Sequence, residues 1–172
     1  YFYLYGSPLI ADYFGLLGYD AVAWQVADLQ SQLDAGAFML RAHDNNSSMQ
    51  FVCSNIQGFD TPAGTALSRY ATKTFANTGG GHQEVGYIST LAANLASMIR
   101  GPNVSATDEA QALREGLATL VNKGVNKVVA SVSSNATAEL VLASVPGIDI
   151  LIVPGQLQSN NGSGFLASRV GP

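Results

Sequence analysis

Apolar residues along the chain alternate between helical spacing and short continuous runs, which predicts helices and strands in turn. Residues 7–17 begin with a Ser-Pro pair, carry apolar side chains at helical spacing and stop at Gly18, so we predict a helix there. A short apolar run follows, and a polar helix is expected over residues 28–35, closed by Gly36. The order of helix, strand, loop and helix is one unit of an α/β layer.

The middle of the chain predicts extended structure. Residues 49–56 form an apolar run typical of a buried strand. Residues 69–76 and 84–90 are two further strand candidates, and the polar, glycine-rich segment 77–81 between them predicts a hairpin tip. No Gly-Lys-Ser/Thr and no helix start follow the three glycines, so we interpret this segment as a turn rather than a phosphate-binding loop.

The C-terminal half begins with a predicted helix. Thr107 is a candidate N-cap, and Asp108 and Glu109 fall in the first turn, where the helix dipole favours negative charge. We therefore assign both carboxylates to capping rather than to catalysis. The buried face of the helix is expected to consist of four aliphatic side chains and to end at a glycine cap: Leu113, Leu117, Leu120, Val121 and Gly124.

Three further elements complete the pattern. A continuous apolar strand is expected over residues 126–131, a helix over 135–143, and a last core strand over 148–153. The repeated alternation of strand and helix predicts an α/β fold with a layered β-sheet core flanked by helices. With 172 residues the chain has the size of one ordinary domain, and we expect residues 1–172 to form it.

Charge is sparse and shows no cationic cluster. Only 12% of the residues are charged and 47% are hydrophobic, whereas about a quarter of the residues of a soluble domain normally carry charge. Either partner subunits or sugars cover part of the surface, or uncharged polar residues supply its polarity. The net charge of −4, without any Lys/Arg patch, argues against nucleic acid as a partner. No apolar run is long enough to predict a membrane span.

The cysteine and the sequons bear on the compartment. Cys53 is the single cysteine and lies in an apolar run, so we expect a buried, inert thiol, no internal disulfide and no zinc-thiolate site. Five Asn-X-Ser/Thr sequons favour a secreted or cell-surface glycoprotein carrying N-linked glycans, with candidate acceptors at Asn45, Asn46, Asn103, Asn135 and Asn161. Modification of the adjacent Asn45 and Asn46 together is not expected.

One motif carries a family resemblance. Residues 18–28, Gly-Tyr-Asp-Ala-Val-Ala-Trp-Gln-Val-Ala-Asp, resemble the GYDAVALGNHEFD signature of the 5′-nucleotidase branch of the calcineurin-like metallophosphatases. The segments Ser54–Ile56, Glu84–Tyr87 and 101–109 resemble the family's SANI, KVGIIG and GPNVxFxDE segments. The resemblance implies a metallophosphatase-like fold and covers residues 6–56 and 84–158.

The resemblance fails where the family performs its chemistry. The family's Asn-His pair supplies a metal ligand and a catalytic histidine, and Val26 and Ala27 stand at the matching positions. Ser133 replaces the histidine of the family's NKIIALGHSG strand, and Gln156 lies where the GGHS segment carries another. Since a two-metal phosphatase needs several His, Asp and Asn ligands, these replacements imply a degenerate site with no metal, no cofactor and no catalytic residue.

The remaining candidate chemistry is weak. His43 and His82 lie in or beside polar stretches without a second ligand at metal spacing, so we interpret both as surface histidines. A new constellation of His82 with Ser133 and Ser134 lacks a nucleophile-elbow pattern and a paired acid.

The resemblance also implies a gap in the sheet. In the family, two core strands with the Asp-x-His and Gly-Asp loops precede the segment that resembles residues 6–20, so we expect a fold that is incomplete at its N-terminus. We expect other copies of the chain, or an upstream fragment of the same precursor, to complete the sheet. The sequence therefore predicts a noncatalytic extracellular structural or assembly protein. The alternative is a fragment of an active secreted 5′-nucleotidase or phosphoesterase whose metal ligands lie on another chain segment.

Overall fold

The computed structural model describes residues 12–13, 16–23, 44, 48–57, 67–92, 105–133, 135–156 and 163–169. Nine strands and two helices with stated bounds lie in these ranges. In chain order they are β1 (Ala21–Ala23), β2 (Gln50–Val52), β3 (Ile56–Gln57), β4 (Ala71–Ala76), β5 (His82–Ser89), β6 (Ser105–Ala106), α1 (Glu109–Asn122), β7 (Lys127–Ser131), α2 (Asn135–Ser144), β8 (Ile150–Gln156) and β9 (Ser163–Arg169).

The largest sheet has five strands in the order β4-β5-β7-β8-β9. β5, β7 and β8 are parallel, whereas β4 and β9 pair antiparallel at the two ends. The helix α1 connects β5 to β7 by way of β6, and α2 connects β7 to β8, as expected for parallel neighbours that require a crossover. The carboxyl ends of β5, β7 and β8 consequently meet at one edge of this sheet.

A second layer, formed by β1 and β2, packs against β5 on the face opposite to α1. β1 and β2 form a parallel pair that contacts β5, and α1 contacts β5 and β7. A Cβ at Gly86 would point at Leu120 of α1. The preceding residue of β5, Val85, pairs with Lys73 of β4. Lys73 forms an ion pair with Asp20, which lies just before β1. Because successive residues of a strand face opposite sides, α1 and the β1–β2 pair lie on opposite faces of the sheet.

The core lies between the five-stranded sheet and its helices. Its large, fully buried aliphatic side chains come from β5, α1, β7, α2, β8 and the turn before β8: Ile88, Leu113, Leu120, Val128, Val141, Ile148 and Leu151. Burial of such side chains contributes about 1.5–3 kcal/mol each. The layered α/β fold with helices beside the sheet, as expected from the sequence, is therefore confirmed.

Local features of the fold agree with several predictions. Gly18 and Gly124 have φ of 69° and 85°, so each provides the left-handed turn expected of a glycine after a helix. β4 and β5 form the expected hairpin, and within its tip Asn77 N donates to the carbonyl oxygen of Gly81 at 2.7 Å. Cys53 is buried, as predicted.

Other predictions were wrong in detail. The strand expected over 49–56 is interrupted after Val52, since the chain turns so that Asn55 can bond other segments. The N-cap of α1 is Asp108, whose carboxylate accepts from Gln111 N at 2.8 Å, and Thr107 instead donates its backbone N–H to Asn55 O. Val121 is 57% exposed and does not belong to the buried face. The strand predicted over 148–153 as the last core strand corresponds to β8, and the described sheet has a further strand, β9, that was not predicted.

The helix predicted over 28–35 lies outside the described residues, and so does most of the helix predicted over 7–17. None of the helices in the described ranges has the length and apolarity that crossing a bilayer requires.

The close approach of β5 to α1 makes a specific prediction. A Cβ at Gly86 would lie 2.6 Å from Leu120 Cδ1 and 3.1 Å from Val125 Cγ1, and both side chains are fully buried. We therefore expect Gly86→Ala to lower the free energy of unfolding by about 1–3 kcal/mol through overpacking. Gly81→Ala is the matched control, because the nearest atom to its Cβ is 3.8 Å away and no strained φ is involved. Denaturant titration of both variants measures the difference, and equal stability would contradict the packing described here.

Candidate functional site

The ends of several strands and the start of α1 meet at one place, which we name the carboxyl edge. It consists of residues 53–55 after β2, residues 90–92 after β5, Glu109 at the start of α1, Ser133 after β7 and Thr137 in α2. Ser54 N donates to Ser89 O at 2.7 Å, which joins the β2 exit to the end of β5. In open α/β sheets the carboxyl ends of parallel strands are the usual place for ligands, so this edge is the candidate functional site.

Asn55 is the central polar residue of the carboxyl edge and is fully buried. Its Nδ2 donates to Leu91 O at 2.7 Å and to Thr107 O at 3.2 Å, and its Oδ1 accepts from Leu91 N at 2.9 Å. Its own carbonyl accepts from Thr107 N at 2.9 Å. Both amide hydrogens are engaged, and the described bonds join the exits of β2 and β5 to the entry of α1.

Glu109 is the carboxylate of the carboxyl edge. Its two oxygens accept from two nearly buried threonines, Thr90 Oγ1 at 3.1 Å and Thr137 Oγ1 at 2.9 Å. One side chain thus joins the end of β5 to the first turns of both helices. The assignment of Glu109 to helix capping was incomplete, because Asp108 is the N-cap residue and Glu109 lies in the first turn.

Ser133 lies at the end of β7, and its Oγ accepts from the backbone N–H of Ala92 at 2.6 Å. That N–H has no strand partner beyond the end of β5, so the serine oxygen supplies the acceptor. Gln156 is the last residue of β8 and pairs with Ser163 of β9. Two of the four residues that the sequence placed in the former site therefore lie at the ends of neighbouring parallel strands.

Two buried groups near the edge are held in their neutral forms. Burial raises the pKa of the Cys53 thiol to about 12, and its Sγ is 3.6 Å from Asn55 Oδ1. Burial also raises the pKa of Tyr87, although a hydrogen bond with Ser131 opposes the shift. A buried thiol that stays protonated at neutral pH is a weak nucleophile, as expected of a buried cysteine in an apolar run.

The donors in the described ranges do not fit a two-metal centre. Such a centre requires several imidazoles and carboxylates at a few ångströms from two ions, and the described residues contain no group of three His, Cys, Asp or Glu that could hold a metal. The Asn55 and Glu109 side chains, which could in principle ligate, already bond protein groups.

The other residues singled out from the sequence are distributed as follows. Val26, Ala27, His43, Ser134 and four sequon asparagines, Asn45, Asn46, Asn103 and Asn161, lie outside the described residues. Asn135 is the first residue of α2, and its sequon threonine, Thr137, is 7% exposed and bonded to Glu109. His82 is exposed at the start of β5, as expected of a surface histidine.

The topology contradicts a constellation of His82 with Ser133, and Ser134 lies outside the described residues. His82 begins β5 and Ser133 follows the end of β7, which is parallel to β5. The seven residue steps of β5 separate the two ends of the strand by roughly 23 Å, since a strand rises about 3.3 Å per residue. The two side chains therefore lie at opposite ends of the sheet.

Comparison with known proteins places this geometry in a structural class. No protein-family model matches the chain, and no curated protein matches it. A 5′-nucleotidase precursor from Thermus thermophilus matches with a TM-score of 0.61 and 19% identity over 81% of this chain and 26% of its own. A calcineurin-like phosphoesterase from Bacillus subtilis matches with a TM-score of 0.60 and 20% identity over 88% of this chain and 50% of its own.

An NAD nucleotidase from Haemophilus influenzae matches with a TM-score of 0.66 and 16% identity, and the match covers 94% of this chain and 31% of that protein. The chain therefore has a 5′-nucleotidase-like metallophosphatase fold, as the resemblance of its motifs implied. It spans between about a quarter and a half of the length of these three proteins.

Sequence reasoning missed most of the bonds at the carboxyl edge. The Ser54–Ile56 motif was noticed as part of a strand, and the signal that it turns instead was the polar pair Ser-Asn inside an apolar run. Nothing in the spacing of Thr90, Glu109 and Thr137 indicates that they meet, because the contact depends on how two helices pack beside the sheet.

Asn55 provides a test of the carboxyl edge. We expect Asn55→Ala to lower the free energy of unfolding by about 3 kcal/mol, because the replacement leaves the N–H and carbonyl of Leu91 and the carbonyl of Thr107 without this partner. Gln57→Ala, at the exposed position two residues further on, should change it by less than about 0.5 kcal/mol. Thermal or urea unfolding checks both values, and a small effect of Asn55→Ala would mean that the turn after β2 does not depend on this amide.

Proposed function

We propose that this domain is a noncatalytic, extracellular structural or assembly glycoprotein built on a 5′-nucleotidase-like metallophosphatase fold. The observation that carries the proposal is the bond from Ala92 N to Ser133 Oγ at 2.6 Å. Ser133 stands where the resemblance places a metal-binding histidine, and its oxygen is used to satisfy a backbone donor. A hydroxyl in that role is a poor substitute for an imidazole ligand.

The other polar groups of the carboxyl edge support the same proposal. Glu109 bonds two threonine hydroxyls, and Asn55 bonds two chain segments. Charged or amide oxygens that already accept hydrogen bonds from protein donors are not free to bind a cation without breaking those bonds. The edge has the properties of a structural polar network, whereas a catalytic site requires donors directed towards an open cleft.

The low content of charge and the sequons support an extracellular, glycosylated location. Of the five candidate acceptors, Asn135 is the least favourable, because the hydroxyl of Thr137 in its sequon is nearly buried and bonded to Glu109. The partners in this proposal are N-linked glycans together with other copies of the chain or an upstream fragment of the same precursor.

A second candidate function is a working phosphoesterase whose metal ligands lie on another chain segment. It is favoured by the comparisons, because the similar structures are described as a nucleotidase precursor, a phosphoesterase and a nucleotidase, and each is at least about twice as long as the matched segment. The two candidates differ in one measurable property, which is metal-dependent hydrolysis.

Hydrolysis assays on the full-length protein separate the two candidates. With 5′-AMP and a phosphodiester as substrates and Mn²⁺, Mg²⁺ or Zn²⁺ added, we expect no turnover above the buffer rate and far less than one bound transition metal per chain. Ser133→Ala and Glu109→Gln are the matched variants, since a contaminating phosphatase would give the same rate in all three preparations.

Two results would overturn the proposal. One is hydrolysis by the wild type that falls at least tenfold in either variant while the fold is retained. The other is about one equivalent of transition metal in the purified protein by elemental analysis.

The glycans give an independent prediction. After expression in a eukaryotic secretory host, we expect modification of at least two of the five sequon asparagines, with Asn135 the least occupied. Intact mass before and after glycosidase treatment measures the total, and Asn103→Gln against Asn135→Gln provides a matched pair in which only the first should remove a full glycan mass. A secreted chain whose mass is unchanged by the glycosidase would refute the glycoprotein part of the proposal.

A further inference from the structure

β4 exposes a free edge of the five-stranded sheet. It is the terminal strand of that sheet, and within the described residues it pairs with β5 alone. The pairing runs from Ala71 to Ala76 without a bulge. The last four residues of β4 are exposed, and 49% of the Phe75 surface is accessible to solvent. A regular, exposed edge of this kind is a template for pairing with another strand.

The hairpin determines which backbone groups of β4 face outward. Asn77 N donates to Gly81 O at 2.7 Å, so Asn77 belongs to the set of residues that bond across the hairpin. Inter-strand bonds of an antiparallel pair involve every second residue. Lys73 and Phe75 therefore direct their backbone groups towards β5, and the outward N–H and C=O groups belong to Thr72, Thr74 and Ala76.

The usual protection of an edge strand is weak in β4. Natural edges carry prolines, bulges or unpaired lysines that oppose edge-to-edge association. β4 contains no proline and no bulge, and its single lysine, Lys73, forms an ion pair with Asp20. The exposed residues next to Lys73 are Thr74 and Phe75, which are among the types favoured in strands.

We propose that β4 pairs with β4 of a second copy of this chain, antiparallel and around a twofold axis at Thr74. This inference rests on the assembly role proposed above and identifies the surface that performs it. In this register Thr74 lies opposite the partner's Thr74 and Thr72 lies opposite the partner's Ala76, so each outward N–H of these residues meets an outward carbonyl. A twofold interface of this kind closes as a dimer and leaves β9 at the outer edges of a continuous ten-stranded sheet, twice the five strands described.

In this register all three outward residues of β4 pair with outward residues of the partner strand, and the side chains of the two strands are compatible. Lys73 lies opposite the partner's Phe75, so no like charges oppose each other and the lysine stem covers the exposed ring. A twofold axis at Lys73 or at Phe75 would pair only two of the three outward residues of each strand with one another, and the axis at Lys73 would also place two lysines opposite each other. An axis at Thr72 or Ala76 would leave half of the strand unpaired. The number of outward residues that find a partner therefore favours a second copy in the register centred on Thr74, and charge disfavours the axis at Lys73.

Replacing Phe75 tests the register. In the full-length protein, Phe75→Lys places two lysines opposite each other in each symmetric pair, and we expect it to weaken self-association by about tenfold or more. Phe75→Glu is the matched control, since it removes the same ring at the same exposed position but places a carboxylate opposite the partner's Lys73. Sedimentation velocity over a concentration series should therefore show tighter association for Phe75→Glu than for Phe75→Lys, and equal constants would overturn the register.

Replacing Thr74 tests the backbone bonds. Thr74→Pro removes one outward N–H without removing a bond to β5, and we expect it to abolish the dimer, whereas Thr74→Val keeps the N–H and should retain it. Thermal unfolding of both variants identifies a dimer lost through unfolding of the hairpin. As a readout that does not depend on stability, Thr74→Cys should form a disulfide-linked dimer on mild oxidation, because opposed residues at the axis have Cα atoms about 5.5 Å apart. Thr78→Cys at the hairpin tip is its control.

The outcomes separate this inference from the proposed function. A chain that associates equally in all β4 variants overturns the β4 interface and leaves the assembly role in place. Loss of association in Thr74→Pro with no cross-linking of Thr74→Cys also overturns it, since the edge would then bind a strand other than β4. Metal-dependent hydrolysis would overturn the noncatalytic function whichever result the association experiments give.

Discussion

The carboxyl edge depends on one constraint, which is that strands leaving a parallel sheet end with backbone groups that no neighbouring strand can satisfy. In this chain the Asn55 side chain supplies hydrogen-bond partners for both backbone groups of Leu91 and for the carbonyl of Thr107. A single buried amide thereby fixes the exits of β2 and β5 and the entry to α1. The turn that interrupts the apolar run after β2 follows from the same bonds.

The remaining bonds of the edge also join separate segments of the chain. Ser133 accepts from Ala92 N, and Glu109 accepts from the hydroxyls of two nearly buried threonines. In a metallophosphatase the same strand ends carry ligands, and the metal ions there would provide the charges that organise the loops. In the described part of this edge, protein hydrogen bonds join the strand ends.

The sequence predicted the fold further than it predicted the edge. Apolar periodicity located β4, β5, α1, β7 and α2 because these elements bury one face or a continuous run against the core. It missed β9, an edge strand paired with β8, and it placed the N-cap one residue early, because Thr107 and Asp108 are both acceptable caps. The contact of Glu109 with Thr90 and Thr137 arises only from tertiary packing, so no local pattern could have indicated it.

The same sheet is closed at one boundary and open at another, and this difference bears on what the fold can do. In the described residues, internal hydrogen bonds engage the side chains of Asn55 and Ser133 at the carboxyl edge. Within the described residues the outward backbone groups of β4 have no strand partner, and the ion pair between Lys73 and Asp20 reduces the charge that would repel another strand. Among the described residues, β4 pairs with β5 alone, which is the basis for the proposed pairing with another chain.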